Sequence, residues 1–204
     1  MAFDQGIVGP QNIGSGVVTA RFGQQGDKII SQLHGRYYEQ TARGNMFYAA
    51  IQSVATSSVG LTTTYTGLCI SNPVTSRINA VLNKASIMQS VIQGTQPEAY
   101  AIATGFNITT AVTHTAALAV KNCLVGGNPG VVVADTSATL PTAPFYTLFV
   151  HNTASATVNG TGAVIDLEGS IVLPPGGYAA WVTPAQASVA GLWYSFSWEE
   201  VPIL

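Results

Sequence analysis

The chain has 204 residues, 47% of them hydrophobic and only 8% charged, with a net charge of −2. A typical soluble domain is about one-quarter charged, so Thr, Ser, Asn, Gln and Gly must cover this surface, and such a surface is readily buried against a neighbour because few charges lose water. The wealth of Val, Ile and aromatics argues against a disordered chain, and polar residues or Gly interrupt every apolar stretch before the about 20 residues that a membrane-spanning helix needs.

Residues 1–28 read as an arm. Gly6, Gly9, Gly14, Gly16, Gly23, Gly26 and Pro10 leave little periodicity, and Gly at this density loses too much backbone entropy for a regular element. Residues 1–10 also lack the basic-then-apolar order of a secretory signal, so the expectation is a product made in the cytoplasm. Ile29, Ile30, Leu33 and Tyr37 fall near helical spacing within Asp27–Tyr38, with Gly35 weakening that helix. The arm is expected to span residues 1–43.

From Gly44 the texture is that of strands, and residues 44–204 are expected to form one domain. Met46–Ile51 is an apolar run, and Gly60–Ile70 is rich in β-branched and aromatic residues and precedes the turn signal Asn72-Pro73. Arg77–Ile92 is ambiguous, because Ile78, Ala80 and Leu82 and then Ala85 and Ile87 mix period two with helix formers; the β-branched Val81, Ile87, Val91 and Ile92 favour strands. Residues 99–110 and 115–125 are two further strand candidates.

Gly126–Gly130 reads as a permissive loop, Val131–Val133 as a short buried strand, and Asp135–Pro144 as a polar loop. Phe145–Val150 is a strand expected to turn at His151-Asn-Thr. Val164, Asp166 and Glu168 share a strand face opposite Ile165 and Leu167, with Gly169 expected to break the strand. Ser170–Leu173, the turn Pro174–Gly177 and Tyr178–Val182 follow. The last strand is the clearest: Leu192, Tyr194, Phe196 and Trp198 face one way, and Ser195, Ser197 and Glu199 the other, the alternation of a half-buried antiparallel strand. About ten short strands near ten-residue spacing, with no βα alternation, predict an all-β antiparallel β-sandwich or jelly roll with an extended N-terminal arm. There is no clean internal repeat to suggest a propeller or fibre shaft.

Motifs for chemistry are sparse. His34, His114 and His151 are scattered without the close ligand grouping of a zinc site, and read as surface or loop histidines. No GxSxG or P-loop occurs, and Gly14-Ser-Gly16 lacks the strand and helix that a dinucleotide site requires. The acid pairs Asp166/Glu168 and Glu199/Glu200 would suit a glycosidase or, at Asp166/Glu168, a calcium ion; exposed polar positions are the favoured reading of Asp166/Glu168. Neither enzymatic activity nor a cofactor is therefore expected. Cys69 and Cys123 lie in apolar runs and read as buried free thiols. The sequons at Asn107 and Asn159 read as chance matches in a Thr-rich chain. Trp181, Trp193 and Trp198, with Tyr178, Tyr194 and Phe196, read as core rather than as sugar-stacking platforms.

Charge is unevenly placed. Residues 1–102 hold six basic against four acidic residues, net +2, and residues 103–204 hold one against five, net −4. Arg21, Lys28, Arg36 and Arg43 are too dispersed for a nucleic-acid patch; they suit docking of the N-terminal segment on an acidic partner surface, and equally read as ordinary solvated charges.

The run Thr41-Ala-Arg-Gly-Asn-Met-Phe47, the Gly/Ala/Thr-rich central strands, the hairpin Leu173-Pro-Pro-Gly-Gly-Tyr178 and the terminal Ser195-Phe-Ser-Trp-Glu-Glu-Val-Pro-Ile203 resemble small virion proteins of tailed bacteriophages. The resemblance is to capsid decoration (cement) or fibre-head proteins. It implies a sandwich or jelly-roll fold, homotrimeric self-assembly, no catalysis and a place on the capsid surface. In a decoration protein the partner is the major capsid protein, and the arm lies across it. In a fibre head the C-terminal domain presents a groove for a host-surface glycan. The absence of a shaft or stalk pattern favours decoration.

Overall fold

The structure, a computed structural model, describes residues 35–53, 56, 60–90, 98–153, 162–184 and 191–203, together with the backbone of 5–7 and 17–19. The chain divides into two compact units, Met1–Arg36 and Tyr37–Leu204. In the first, β1 (Gln5–Ile7) and β2 (Val17–Thr19) pair antiparallel with Gly6 opposite Val18. The β-branched Ile7, Val17, Val18 and Thr19 supply strand propensity where the glycine content alone suggested no regular element. The rest of residues 1–34, including most of the expected helix, lies outside the described residues.

The second unit opens with α1 (Tyr38–Ala42), one short turn of helix that begins where the expected Asp27–Tyr38 helix would end. Eleven strands follow: β3 (Met46–Ala50), β4 (Thr64–Ser71), β5 (Ile78–Gln89), β6 (Glu98–Phe106), β7 (Thr113–Leu118), β8 (Lys121–Asn122), β9 (Val133–Thr139), β10 (Phe145–Thr153), β11 (Gly162–Leu173), β12 (Gly177–Val182) and β13 (Leu192–Pro202). They form a six-stranded sheet, β10-β6-β12-β4-β9-β7, and a five-stranded sheet, β11-β5-β13-β3-β8. Every pairing is antiparallel.

The pairings are nested. β3 pairs with β13, β4 with β12, β5 with β11 and β6 with β10, so the second half of the domain folds back along the first as a long ribbon. The ribbon then wraps: β13 also pairs with β5, and β12 with β6. β7, β8 and β9 are inserted at the ribbon's tip, between β6 and β10. β9 and β7 extend the six-stranded sheet beyond β4, while β8 extends the other sheet beyond β3.

The two sheets face each other across one core. Leu68, Ile70, Tyr100, Ile102 and Trp181 come from the six-stranded sheet, and Phe47, Leu82, Ile87, Phe196 and Trp198 from the other. Trp181 is the bridge: its ring stacks on Tyr194 and Phe196, each at 5.7 Å, and its Nε1 donates to the Ser195 carbonyl at 3.3 Å. Such pairs add to burial by about 0.5–1.5 kcal/mol each. The outer face of the six-stranded sheet is also buried, under a second cluster of Tyr65, Val112, Leu140 and Tyr178 over Ala101, Ala103 and Ala180. That second layer explains why β12 is buried at every position.

Several local expectations change. Residues 135–139 are strand β9 rather than a polar loop, because Asp135 and Ala138 face buried neighbours and Thr and Ser satisfy their backbone in the ladder. Val131 is exposed, and the strand starts only at Val133. The 115–125 region is two strands with a break at Ala119-Val120. β10 runs on through His151–Thr153 instead of turning there. Gly169 does not end β11: Glu168 (φ 51°) and Gly169 (φ 81°) form a left-handed bulge inside it, a device that bends a strand without ending it. In β5, a bulge at Asn83 exchanges the inward parity, from Ala80 and Leu82 to Ala85 and Ile87.

Candidate assembly surfaces

The loop between β8 and β9 is held from both sides. From β8, Asn122 donates through Nδ2 to the Gly44 carbonyl at 2.8 Å and the Asn128 carbonyl at 3.1 Å, while its Oδ1 accepts the Leu124 N–H at 2.8 Å. From β13, the buried Glu200 carboxylate accepts the Val131 N–H at 2.8 and 3.0 Å and the Val132 N–H at 2.9 Å; Trp198 Nε1 donates to it at 3.4 Å. Glycines make room for these contacts. A Cβ on Gly127 would lie 2.8 Å from Asn122 Cγ, and one on Gly130 would lie 2.8 Å from Glu200 Oε1 and 2.9 Å from the Phe47 ring. The loop expected to be permissive is therefore fastened, and the buried Glu200 is the fastening. A buried carboxylate needs such donors to offset its lost hydration.

At the tip of this loop Val125 is 97% exposed, and Leu124 and Val131 are exposed beside it. A cleft of about 430 Å³ lies at its base between Tyr48, Lys121 and Pro129.

At the opposite edge of the sandwich, β10 and β11 are the terminal strands of their sheets. Phe145 (75% exposed), Phe149 and Phe106 stand in solvent there with Val172. Phe106, Phe145, Val172 and Pro174 line an apolar cleft of about 380 Å³. β10 carries no Asp, Glu, Lys or Arg along its nine residues. It has irregularities at Tyr146/Leu148 and Phe149/His151, of the kind that spoil an edge as a template for another strand.

No family model, curated protein or solved structure matches this chain. What it does must be argued from these surfaces and from the polar clusters beside them.

Of the four basic residues expected to dock a partner, Arg21 and Lys28 lie outside the described residues. Arg36 is exposed. Arg43 is engaged within α1, with Nη2 2.7 Å and Nε 2.9 Å from Glu39 Oε1. Of the two described, Arg36 ends the first compact unit and Arg43 belongs to the second.

One Cys/His/Asp grouping escaped the sequence reading because its members are far apart in the chain. Cys69 and Asp135 are cross-strand partners on β4 and β9, and His114 on β7 places Nδ1 2.6 Å from Asp135 Oδ2. His114 is thus an exposed strand residue, as the expectation of a surface or loop histidine allows, and it is hydrogen-bonded to Asp135. Burial raises the Asp135 carboxyl above the ordinary range, partly offset by the hydrogen bond and charge of His114. Its Oδ1 is buried without a hydrogen-bond partner. Burial also pushes the Cys69 thiol far up, helped by the Asp135 charge. Cys69 is fully enclosed and protonated, the opposite of an activated nucleophile; its thiol fills space in the outer cluster.

Both cysteines are free, and Cys123 is half-buried rather than buried. Asp166 pairs with Lys84 at 3.2 Å, directly across β11 and β5. Among the described residues no group of three metal-ligating side chains converges. The sequon Asn107 uses its Oδ1 to accept from Thr109 and Thr110 in a turn. Trp181 and Trp198 are fully buried, and Trp193 donates through Nε1 to Ser90 Oγ at 3.0 Å, so Trp181 and Trp198 offer no face for a sugar to stack on.

Proposed function

We propose that this protein is a non-enzymatic structural component of a bacteriophage particle, a capsid decoration (cement) protein that binds the lattice of major capsid proteins and associates with copies of itself as a homotrimer. The observation that carries the reading is a charge-poor double-layered sandwich whose fastened loop and uncharged edge strand β10 hold apolar side chains in solvent. Surfaces of that kind are interface material. The loop is fastened before binding, so little ordering entropy is lost there on contact.

The nested pairing of eight strands, β3 to β6 with β10 to β13, supports naming the fold a jelly roll with a three-stranded insertion at its tip. Jelly rolls recur in viral capsid proteins and in lectins. That is analogy at the level of the fold; together with the sequence resemblance it favours the virion as the place of action. In this reading the basic-leaning N-terminal unit lies on the capsid and the acidic β domain projects outward. Burial of Trp181 and Trp198 favours decoration over the glycan-binding fibre head.

Cryo-electron microscopy of the purified particle tests the proposal. Many copies at three-fold or quasi-three-fold positions of the head are expected. A few copies at the tail tip, or none in the particle, would overturn it.

A further inference from the structure

A buried carboxyl group lies beneath an edge strand of the six-stranded sheet. β7 ends that sheet and pairs with β9 alone, and every side chain along it is exposed or half-exposed. Its register on β9 is interrupted twice, between His114 and Ala116 and between Ala116 and Ala117. Val112, just before it, packs in the outer cluster, and Leu118 at its far end packs against the inner core. β7 is therefore a strap anchored at both ends and lightly held between them.

The carboxyl group is that of Asp135, the one titratable side chain of β9, as His114 is of β7. The Asp135 side chain is 1% exposed. Its Oδ2 lies 2.6 Å from His114 Nδ1, and its Oδ1 has no hydrogen-bond partner. The titratable groups facing it from the adjoining strands are His114 on β7 and Cys69 on β4. Tyr65 and Tyr178 belong to the same outer cluster as Cys69, and burial raises all three, which keeps them uncharged. Among the described residues, His114 is the one cationic partner of Asp135.

Burial raises the Asp135 carboxyl, and His114 offsets only part of that rise. A closed strap thus holds the Asp135 proton more tightly than a released one, in which the carboxyl meets water. Closure is fully supported below the ordinary carboxyl value and loses support as pH rises through the raised one. β4, on the other side of Asp135, is an interior strand buried at most positions, so β7 is the side that yields. We propose that β7 is a pH-released strap: ionisation of Asp135 loosens Thr113–Ala117 from β9 and opens the β9 edge. The device holds whether or not the protein acts in a virion.

Amide hydrogen exchange of the native full chain, corrected for the intrinsic rise of exchange with pH, tests it between about pH 4 and about pH 8. Protection of the β7 amides is expected to fall by up to about tenfold per pH unit while Asp135 loses its proton. Local opening exposes little surface, so β7 exchange should be insensitive to dilute urea, whereas exchange in the fully buried β12 should quicken. Asp135→Asn cannot ionise and should hold β7 protection level with pH. His114→Gln, at an exposed position, removes the partial offset and should enlarge the fall; loss of a merely structural contact would lower protection by one factor at every pH. Circular dichroism melts are the fold control, and His114→Gln decides alone if Asp135→Asn does not fold. Three results overturn the proposal: wild-type β7 protection that is level with pH, β7 amides that share the protection and urea dependence of β12, or a fall that Asp135→Asn retains or His114→Gln leaves unchanged.

Discussion

Removing the Glu200 charge is the sharpest probe of whether the β8–β9 loop is fastened as described. The carboxylate accepts two backbone N–H groups, and Val132, which supplies one of them, is only 2% exposed. Val131 can turn its N–H to water when released; Val132 cannot. Glu200→Ala therefore leaves one buried donor unpaired, at about 1–3 kcal/mol, and loses a charge-assisted bond at Val131 as well. A total of about 3 kcal/mol is expected. Glu200→Gln keeps one acceptor oxygen but loses the charge assistance, for about 1.5 kcal/mol, which in a unit of this size lowers Tm by about 3–6 °C. Thermal and urea melts give the stability, and amide hydrogen exchange at Val131 and Val132 gives the location. Glu199→Gln is the control: burial raises the Glu199 carboxyl above its ordinary range, so neutralising it is expected to cause no loss at neutral pH. Gly130→Ala should displace Glu200 and act through the same contact, so its effect and that of Glu200→Gln should be less than additive. A Glu200→Gln protein as stable as wild type, with unchanged exchange at Val132, refutes the fastening.

Asp135 sets a pH dependence of known sign. Its folded-state carboxyl is raised above 3.8 by burial, so its contribution to stability is fully present below the unfolded value and is lost as pH rises through the raised one. The stability of Asp135→Asn relative to wild type should therefore increase as pH climbs from about 4 through that window; a flat or opposite trend in melts against pH sinks the assignment. Gly105 lies opposite Tyr178, whose ring would sit 2.2 Å from an added Cβ and whose hydroxyl is held by Thr142. Gly105→Ala should destabilise by about 1–3 kcal/mol, and Tyr178→Ala should abolish most of that penalty in a double-mutant cycle; additive losses would show that the ring does not depend on the glycine. Thiol labelling of the native protein should proceed at half-buried Cys123 and not at Cys69 until the domain unfolds. Labelling of both at equal rates would contradict the enclosed outer cluster.

The sheets were legible wherever burial is one-sided. β13 alternates cleanly over Leu192–Trp198 because it packs its inner face on the core and leaves Ser195 and Ser197 half-exposed. β5 resisted assignment for a reason visible in its register: the bulge at Asn83 changes parity halfway, so neither a pure period of two nor a helical period fits Ile78–Gln89. β9 was missed because Asp135-Thr-Ser reads as a loop; the strand is held by two neighbours and hides its aspartate against His114. Those partners lie 21 residues apart in the chain, and no local spacing announces them. Glu200 is a similar case: the alternation that buries Trp198 and then Glu200 gives its inward direction, but its partners, the N–H groups of Val131 and Val132, lie 69 and 68 residues away in the chain. The glycines of 126–130 pointed to a loop correctly but to its stiffness wrongly. Gly127 and Gly130 are there for close approach to Asn122 and Glu200 rather than for freedom.

These local devices bear on how a charge-poor protein avoids indiscriminate association. A surface with 8% charged residues has little repulsion to keep copies apart, and an open, neutral, nine-residue edge strand such as β10 would ordinarily recruit other strands. The register irregularities along β10 interrupt the evenly spaced backbone groups that a foreign strand would need. Phe145 and Phe149 remain exposed on the same strand, so the edge discourages main-chain pairing while keeping apolar side chains on offer. Specificity then has to come from shape, and a loop fixed by Asn122 and Glu200 has one shape to offer. Loosening that loop should therefore weaken correct contacts more than it increases wrong ones.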